Sequence, residues 1–364
     1  DDAEKQELVN KLKSNHRQLV EARKRINELR SELELASTEQ ERQDLSADYN
    51  EQVLTISRLD MYNKALEFEE SGNHKQAIYW YKQSADAGRG ILGAMINLGN
   101  YYREGKGIDK DPQKAVFWFE KAALWYLVYG HYNLALMHYQ GQGMPVDYEK
   151  ALYWFEKAAN NGFDDAQYNL AVMHEKGLGT RSDDSRALKW YRKAADNGHT
   201  DAQYQTGFSY ANGRGIRQDY DQAFVWYRKA ANNGHADAQR MLGSLYIEGI
   251  GVNKDHDEGI KWLRISADSD NADAQYLLGW IYDNGKAGLE TDYSRAFEWY
   301  TRAARQDHDE SQSKLGFLYA LGRGVQKDFK QANYWFRQSA DSGNKDAQFN
   351  LGVSYEHGYG VQQN

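Results

Sequence analysis

The sequence predicts an all-α protein, a row of about eight antiparallel helix pairs entered through a long helical stalk. Three observations carry this. Tryptophan returns at Trp118, Trp154, Trp190, Trp226, Trp262, Trp299 and Trp335, every 36 residues with a single interval of 37. Between successive tryptophans, an apolar stretch with helical spacing runs into Gly-x-Gly, and such a fixed period marks a repeat array. Residues 1 to 58 differ in kind, with neither Gly nor Pro and with apolar residues every seven positions. Among 364 residues there are 2 Pro against 32 Gly, so little interrupts a helix and glycine makes the reversals.

The stalk comes first. Leu12, Leu19, Ile26 and Leu33 recur every seven residues, with Leu8, Asn15, Ala22, Leu29 and Ala36 as the companion series. That is an a/d seam, and these four apolar residues are the candidates for oligomerisation. Arg25 and Arg30 flank it and would repel in a parallel homodimer, which leaves a partner helix in the same chain or in another protein as the alternative. The heptad phase fails after Ala36, where Ser37, Thr38, Gln40 and Glu41 read as a break and a newly capped helix. An entry hairpin follows over 59–90, with Trp80 but no Gly-x-Gly loop.

Seven full units occupy 94–344, and 345–364 holds a partial one. Each unit has a helix A, where Ala, Leu, Gly or Ala, and Tyr or His stand at relative positions 0, 4, 5 and 8, as from Ala238 through Leu242 and Gly243 to Tyr246. It closes with Gly-x-Gly, as in Gly213/Gly215 and Gly322/Gly324, and one copy, Gly285 to Gly288, carries the extra residue. Helix B follows. Asp or Asn stands seven residues before each Trp, at Asn73, Asp111, Asp147, Asp183, Asp219, Asp255, Asp292 and Asp328, as an N-cap, with Pro112 at a first helical position. Small residues flank the Trp, which is expected to be an interior staple between helices. Gly88, Gly162, Gly198, Gly234 and Gly343 end helix B.

The pattern Ala-x-x-x-Leu-Gly-x-x-Tyr-x-x-Gly-x-Gly, then Asp, Ala, Trp and Lys-Ala-Ala, resembles the Sel-one-like repeat, a relative of the tetratricopeptide repeat. The resemblance covers the seven units, and the entry hairpin resembles a shorter tetratricopeptide-type unit. It implies a right-handed α-solenoid that serves as an adaptor or scaffold, often in bacterial envelope, secretion or signalling systems. The expected compartment is therefore the bacterial cell envelope or the outside, with the cytoplasm as the alternative.

Composition narrows the chemistry. The chain carries 53 acidic and 45 basic residues, a net charge of -8, which lacks the basic excess of a nucleic-acid binder. With 0 Cys, a disulfide scaffold, thiolate zinc and a cysteine nucleophile are excluded. No run of about 18 apolar residues suggests a membrane span. The Asp1-Asp2 start is that expected of a processed or trimmed chain, and the lone last helix A leads one to expect more repeat sequence after Asn364.

No catalytic centre, metal site or cofactor is expected. The Gly-x-Gly loops lack a preceding strand and a Gly-Lys-Ser/Thr, so they read as helix stops rather than a phosphate cradle. His138 and His174 take the place of a packed Tyr, and His199, His235 and His308 read as cations at helix ends. Asp165, Asp201, Asp237, Asp273 and Asp346 read as capping groups at the entrance of helix A. The candidate partner-binding residues lie at helix A positions 2, 6 and 9, which vary between units. They are Tyr132, Tyr139, Tyr168, Tyr204, Phe208, Arg240, Tyr276, Trp280 and Phe317. Such a stripe suits a protein or peptide, or a glycan, and the rival reading buries it against the next unit. At the first junction Trp125, Tyr126 and Tyr129 replace the usual Asn, Gly and Asp, and helix B is expected to run on there. Those three form either a second contact patch or a contact with the chain's own N-terminal helices.

Overall fold

The computed structural model describes the backbone of residues 2–86, 91–125 and 128–363, and side chains from residue 14 onward except Leu92. Every regular element among these residues is an α-helix. The chain divides into two compact units, Asp1–Ser182 and Asp183–Asn364.

In the first unit α1 (Asp2–Leu35) turns into α2 (Glu39–Glu70) through a reciprocal cap. Thr38 Oγ1 accepts from Glu41 N at 3.2 Å, and the Glu41 carboxylate accepts from Ser37 N at 3.0 Å. α1 folds back on α2. Leu19, Ala22, Leu29 and Ala36 are buried, Ile26 and Leu33 are half-buried, and the side chain of Leu12 lies outside the described residues. The seam expected to join copies is thus packed within one chain. Arg25 and Arg30, awkward in a parallel dimer, reach Asp48 at 3.1 Å and the Tyr49 hydroxyl at 3.1 Å on α2. Buried Asn15 donates to Asn63 at 2.9 Å and fixes the register. α2 continues unbroken past residue 58, so the expected end of the stalk falls inside a helix. Its last turns bury Leu59, Tyr62, Ala65 and Leu66, and they serve as a first helix A for α3 (His74–Asp86).

Helices α4 (Leu92–Glu104), α5 (Pro112–Leu124), α6 (Val128–Gln140), α7 (Tyr148–Asn160) and α8 (Asp164–Lys176) complete this unit. The second unit holds α9 (Asp184–Asp196), α10 (Thr200–Asn212), α11 (Tyr220–Asn232), α12 (Ala236–Glu248) and α13 (His256–Asp268). It continues with α14 (Ala272–Asn284), α15 (Tyr293–Ala304), α16 (Asp309–Leu321), α17 (Phe329–Asp341) and α18 (Lys345–His357). Even numbers from α4 are helix A, odd numbers from α3 are helix B, and within each unit consecutive helices pack on one another. Short connections make such neighbours antiparallel.

The caps are those the spacing predicts. Asp111, Asp147, Asp219, Asp255 and Asp292 each accept from the backbone N–H three residues on, at 2.9 to 3.0 Å. The same aspartates tie the loop shut with their own N–H, as when Asp219 N donates to Tyr210 O at 3.0 Å. Each Gly-x-Gly serves two ends. Gly213 takes φ +68° and stops α10, while Gly215, φ +70°, lies so close over the first turn of α9 that a Cβ would overlap the Asp184 carbonyl.

The loop with the extra residue is looser. Ala287 is forced to φ +51°, and a Cβ at Gly288 would meet nothing nearer than His256 Nδ1 at 3.5 Å. Left-handed backbone costs an L side chain ~1–2 kcal/mol, of which the unfolded-state entropy of glycine takes back part. Ala287→Gly is therefore expected to stabilise the second unit by up to about 1 kcal/mol, measured by chemical denaturation.

The core differs from the expectation at one position. Trp118 and Trp226 are buried, but Trp80, Trp154, Trp190, Trp262, Trp299 and Trp335 are only partly so. The interior staple is the next residue: Tyr81, Phe119, Phe155, Tyr191, Tyr227, Leu263, Tyr300 and Phe336 are all buried. The cause lies on helix A, whose small position-5 residue, glycine in most repeats and Ala135 or Ala171 in two, admits that side chain. A Cβ at Gly207 would lie 2.8 Å from the Tyr227 ring, and one at Gly279 would lie 2.6 Å from that of Tyr300. The tryptophans form the outer flank, with Lys193 and Lys229 ammonium groups 3.9 and 3.8 Å over Trp190 and Trp226. No helix among the described residues is long and apolar enough to cross a membrane.

Candidate functional site

The candidate stripe runs along each helix A at positions 2, 6 and 9, and the aspartate at position -1 shares that face because the steps are helical ones of three and four. In the second unit the stripes of neighbouring repeats are joined by the residue that caps the following helix A. His235 accepts from Ala238 N with Nδ1 at 3.2 Å, stacks its ring on Tyr204 at 4.5 Å, and sets Nε2 3.6 Å from Asp201 of the repeat before. His308 repeats the arrangement with Ser311 N at 3.2 Å, Tyr276 at 5.0 Å and Asp273 at 3.4 Å. Asn271 does the same with amide groups, accepting from Ala274 N and donating to Asp237, both at 2.9 Å.

These contacts correct the reading of the histidines. His199, His235 and His308 are N-caps of α10, α12 and α16, where ring Nδ1 accepts a backbone hydrogen bond. A cation is disfavoured at that end of a helix. Asp201, Asp237 and Asp273 in the first turns correspondingly reach the next repeat's cap. The signal was present in the sequence as a His or Asn recurring after the Gly or Asp that ends helix B. The structure adds a second staple that the sequence reading missed, a buried glutamine at position 1. Gln203, Gln239 and Gln275 donate to the carbonyls of Ala195, Ala231 and Ala267 at 3.3, 3.1 and 2.9 Å.

The stripe is therefore part packing and part surface. Tyr204 and Tyr276 are half-buried against Tyr227 and Tyr300, with ring centroids 5.7 and 5.8 Å apart, and Phe317 meets Phe336 at 5.3 Å. Phe208 is half-buried beside Tyr204. Trp280 is exposed, at 37%. Phe349, the position-2 residue of α18, has no following repeat in this chain and is 70% exposed, which shows how much the next repeat covers elsewhere. Arg240 stands between the Tyr204 and Tyr276 positions, with Nε 3.9 Å from Asp237 and 3.6 Å from Asp273.

Burial pushes the Tyr204 and Tyr276 hydroxyls above the ordinary phenol value. Asp237 adds to the effect at Tyr204, and Glu310 and Asp283 add to it at Tyr276. Tyr227 and Tyr300 lie higher still through burial. These phenols are neutral groups at physiological pH. Glu310 is raised from its ordinary value by its hydrogen bond to Asp309, which is itself lowered.

In the first unit Tyr132 packs on Phe163 at 4.8 Å and Phe155 at 5.8 Å, and Tyr139 on Tyr148 at 5.5 Å. Tyr168 is half-buried on α8. Burial holds the His138 imidazole below its usual value, as suits a residue in a packed tyrosine position. At the first junction α5 ends at Leu124, the same length as most of its counterparts, so the expected extension of helix B does not occur. Trp125 caps it at φ -94° and is 51% exposed. Tyr129 is 54% exposed with its ring edge on Phe163 of the following repeat, and Tyr126 lies outside the described residues.

One group among the described residues places several potential metal ligands together: His308, Asp309 and Glu310, with ligand atoms within 4.8 Å. Nδ1 of His308 already serves as the helix cap and Nε2 faces Asp273. Beside the longer loop, Tyr282, Asp292 and Arg295 line an open hollow of about 470 Å³. Arg295 there is occupied by Asp292 at 3.4 Å.

The family model for the Sel1 repeat matches residues 61–88, 93–124, 128–163, 164–199, 200–235, 236–271, 272–308, 309–344 and 345–364. The chain belongs to the Sel1 repeat family. The matched Sel1 repeats include the entry hairpin and the last single helix as well as the seven full units. Among solved structures, a Sel1 repeat protein from Oxalobacter formigenes is 31% identical, with 81% of this chain and 87% of that one covered, and a TM-score of 0.68. A protective antigen present in uropathogenic Escherichia coli strains, displaying the same repeat fold, is 28% identical over 99% of this chain and 84% of its own, at a TM-score of 0.63. No curated protein matches the chain. The Sel1 repeat fold is generally a protein-interaction scaffold, and its members are typically non-catalytic.

Proposed function

We propose that this chain is a non-catalytic scaffold that holds a protein or peptide against the helix-A stripe of its second unit, around Tyr204, Phe208, Tyr276 and Trp280. The observation that supports this most directly is Trp280. It is exposed on a face where the equivalent residues are Phe208 and Ser244, so the fold does not require an indole there. A large apolar group left in solvent is costly unless something covers it, and Trp is the residue type most enriched among binding hot spots. The half-buried tyrosines beside it are held rigid by stacking, so little side-chain entropy is lost when a partner docks.

The test begins with capture on the intact chain and identification of the partner by mass spectrometry. Trp280→Ala is then expected to weaken binding by ~2 kcal/mol or more, measured by calorimetry, with the thermal melt unchanged. A variant that melts early and still binds the partner with full affinity would place the indole in the packing and the docking face elsewhere.

A further inference from the structure

The charges of the second unit are sorted by helix type. On helix A, α10 carries Asp201 and no Lys or Arg, and α14 carries Asp273 and Asp283 and no Lys or Arg. Arg240 of α12 is the cation on this face, and Asp237 and Asp273 offset it. Helix B is the reverse. α9 sets Arg186, Lys189, Arg192 and Lys193 against two aspartates, and α11 sets Arg228 and Lys229 against one. α13 is the exception, with three carboxylates to two cations.

The carboxylates of helix A lie where the aromatics lie. Asp201, Tyr204 and Phe208 follow one another at steps of three and four, as do Asp273, Tyr276, Trp280 and Asp283. His235 and His308 turn Nε2 toward Asp201 and Asp273, and the Asn271 amide donates to Asp237, so the caps orient these carboxylates. Asp201 and Asp273 each keep more than half of the side chain in solvent. The face thus presents oriented negative charge between rigid π surfaces, and both attract ammonium and guanidinium groups.

Building on the docking face proposed above, we infer that its partner is a cationic segment in which Lys or Arg alternates with apolar residues, the cations meeting the aspartates and the apolar side chains covering Trp280 and Phe208. Panning a random dodecapeptide phage library on the full chain tests this. The expected binders are rich in Lys and Arg. Their affinity should fall on the order of tenfold in the combined Asp201→Asn, Asp237→Asn, Asp273→Asn and Asp283→Asn variant, and fall again with added salt. Asn keeps the oxygen that the caps use, so the fold should persist, as circular dichroism would show. Acidic or uncharged binders that still depend on Trp280 would overturn the cationic partner and leave the docking face standing. A library yielding nothing that Trp280→Ala weakens would overturn the face itself.

Discussion

Replacing Tyr227 with alanine is expected to destabilise the second unit by about 3–5 kcal/mol, the range for deleting a buried aromatic ring from a close-packed core. Tyr227 is fully buried, and its ring fills the space above Gly207, where even a methyl group would be 2.8 Å away. α10 has no side chain at that point to close the void. Because a repeat is stabilised by its neighbours, the loss should spread to adjacent repeats. Trp190→Ala, at a more conspicuous residue, is expected to cost less, since its indole is partly in solvent and is covered on one side by the Lys193 ammonium group. Tyr227→Phe should be tolerated, because Phe119, Phe155 and Phe336 hold the same place in other repeats. Urea unfolding followed by circular dichroism compares the three. A larger effect from Trp190→Ala than from Tyr227→Ala would restore tryptophan as the staple.

Gly215→Val is expected to cost about 2–5 kcal/mol, because two penalties add. One is the left-handed backbone at φ +70°, worth ~1–2 kcal/mol to any L residue. The other is overpacking against the Asp184 backbone, worth ~1–3 kcal/mol, since that helix turn cannot rotate away. Gly234→Ala separates the two within the same unit. Gly234 has φ +86° with nothing within 4 Å of its added Cβ, so the first penalty alone applies. Equal losses in the two variants would mean that the loop does not bear on the preceding repeat.

The boundaries of the helices were legible because they are local. An aspartate that caps its own helix and a glycine that ends one act on backbone within a few residues, so Asp219 or Gly213 reveals its role by spacing alone. The period of 36 likewise announced the array. The sequence could not say which aromatic goes inside. Trp299 and Tyr300 are adjacent, and the glycine that admits the Tyr300 ring, Gly279, stands some twenty residues earlier on a different helix. The histidines were misread for the same reason, since the end of a helix B and the start of the next helix A share one short stretch of chain. The heptad seam was plain as well, but whether it meets α2 or a second copy depends on a turn at Ala36 to Thr38 and on Asn15 finding Asn63, 48 residues away. Local sequence by itself determined the starts of helix B, the glycine stops of helix A, the repeat and the fold class. The tertiary structure decided which rings are core and which are surface, because burial depends on what a distant segment leaves unfilled.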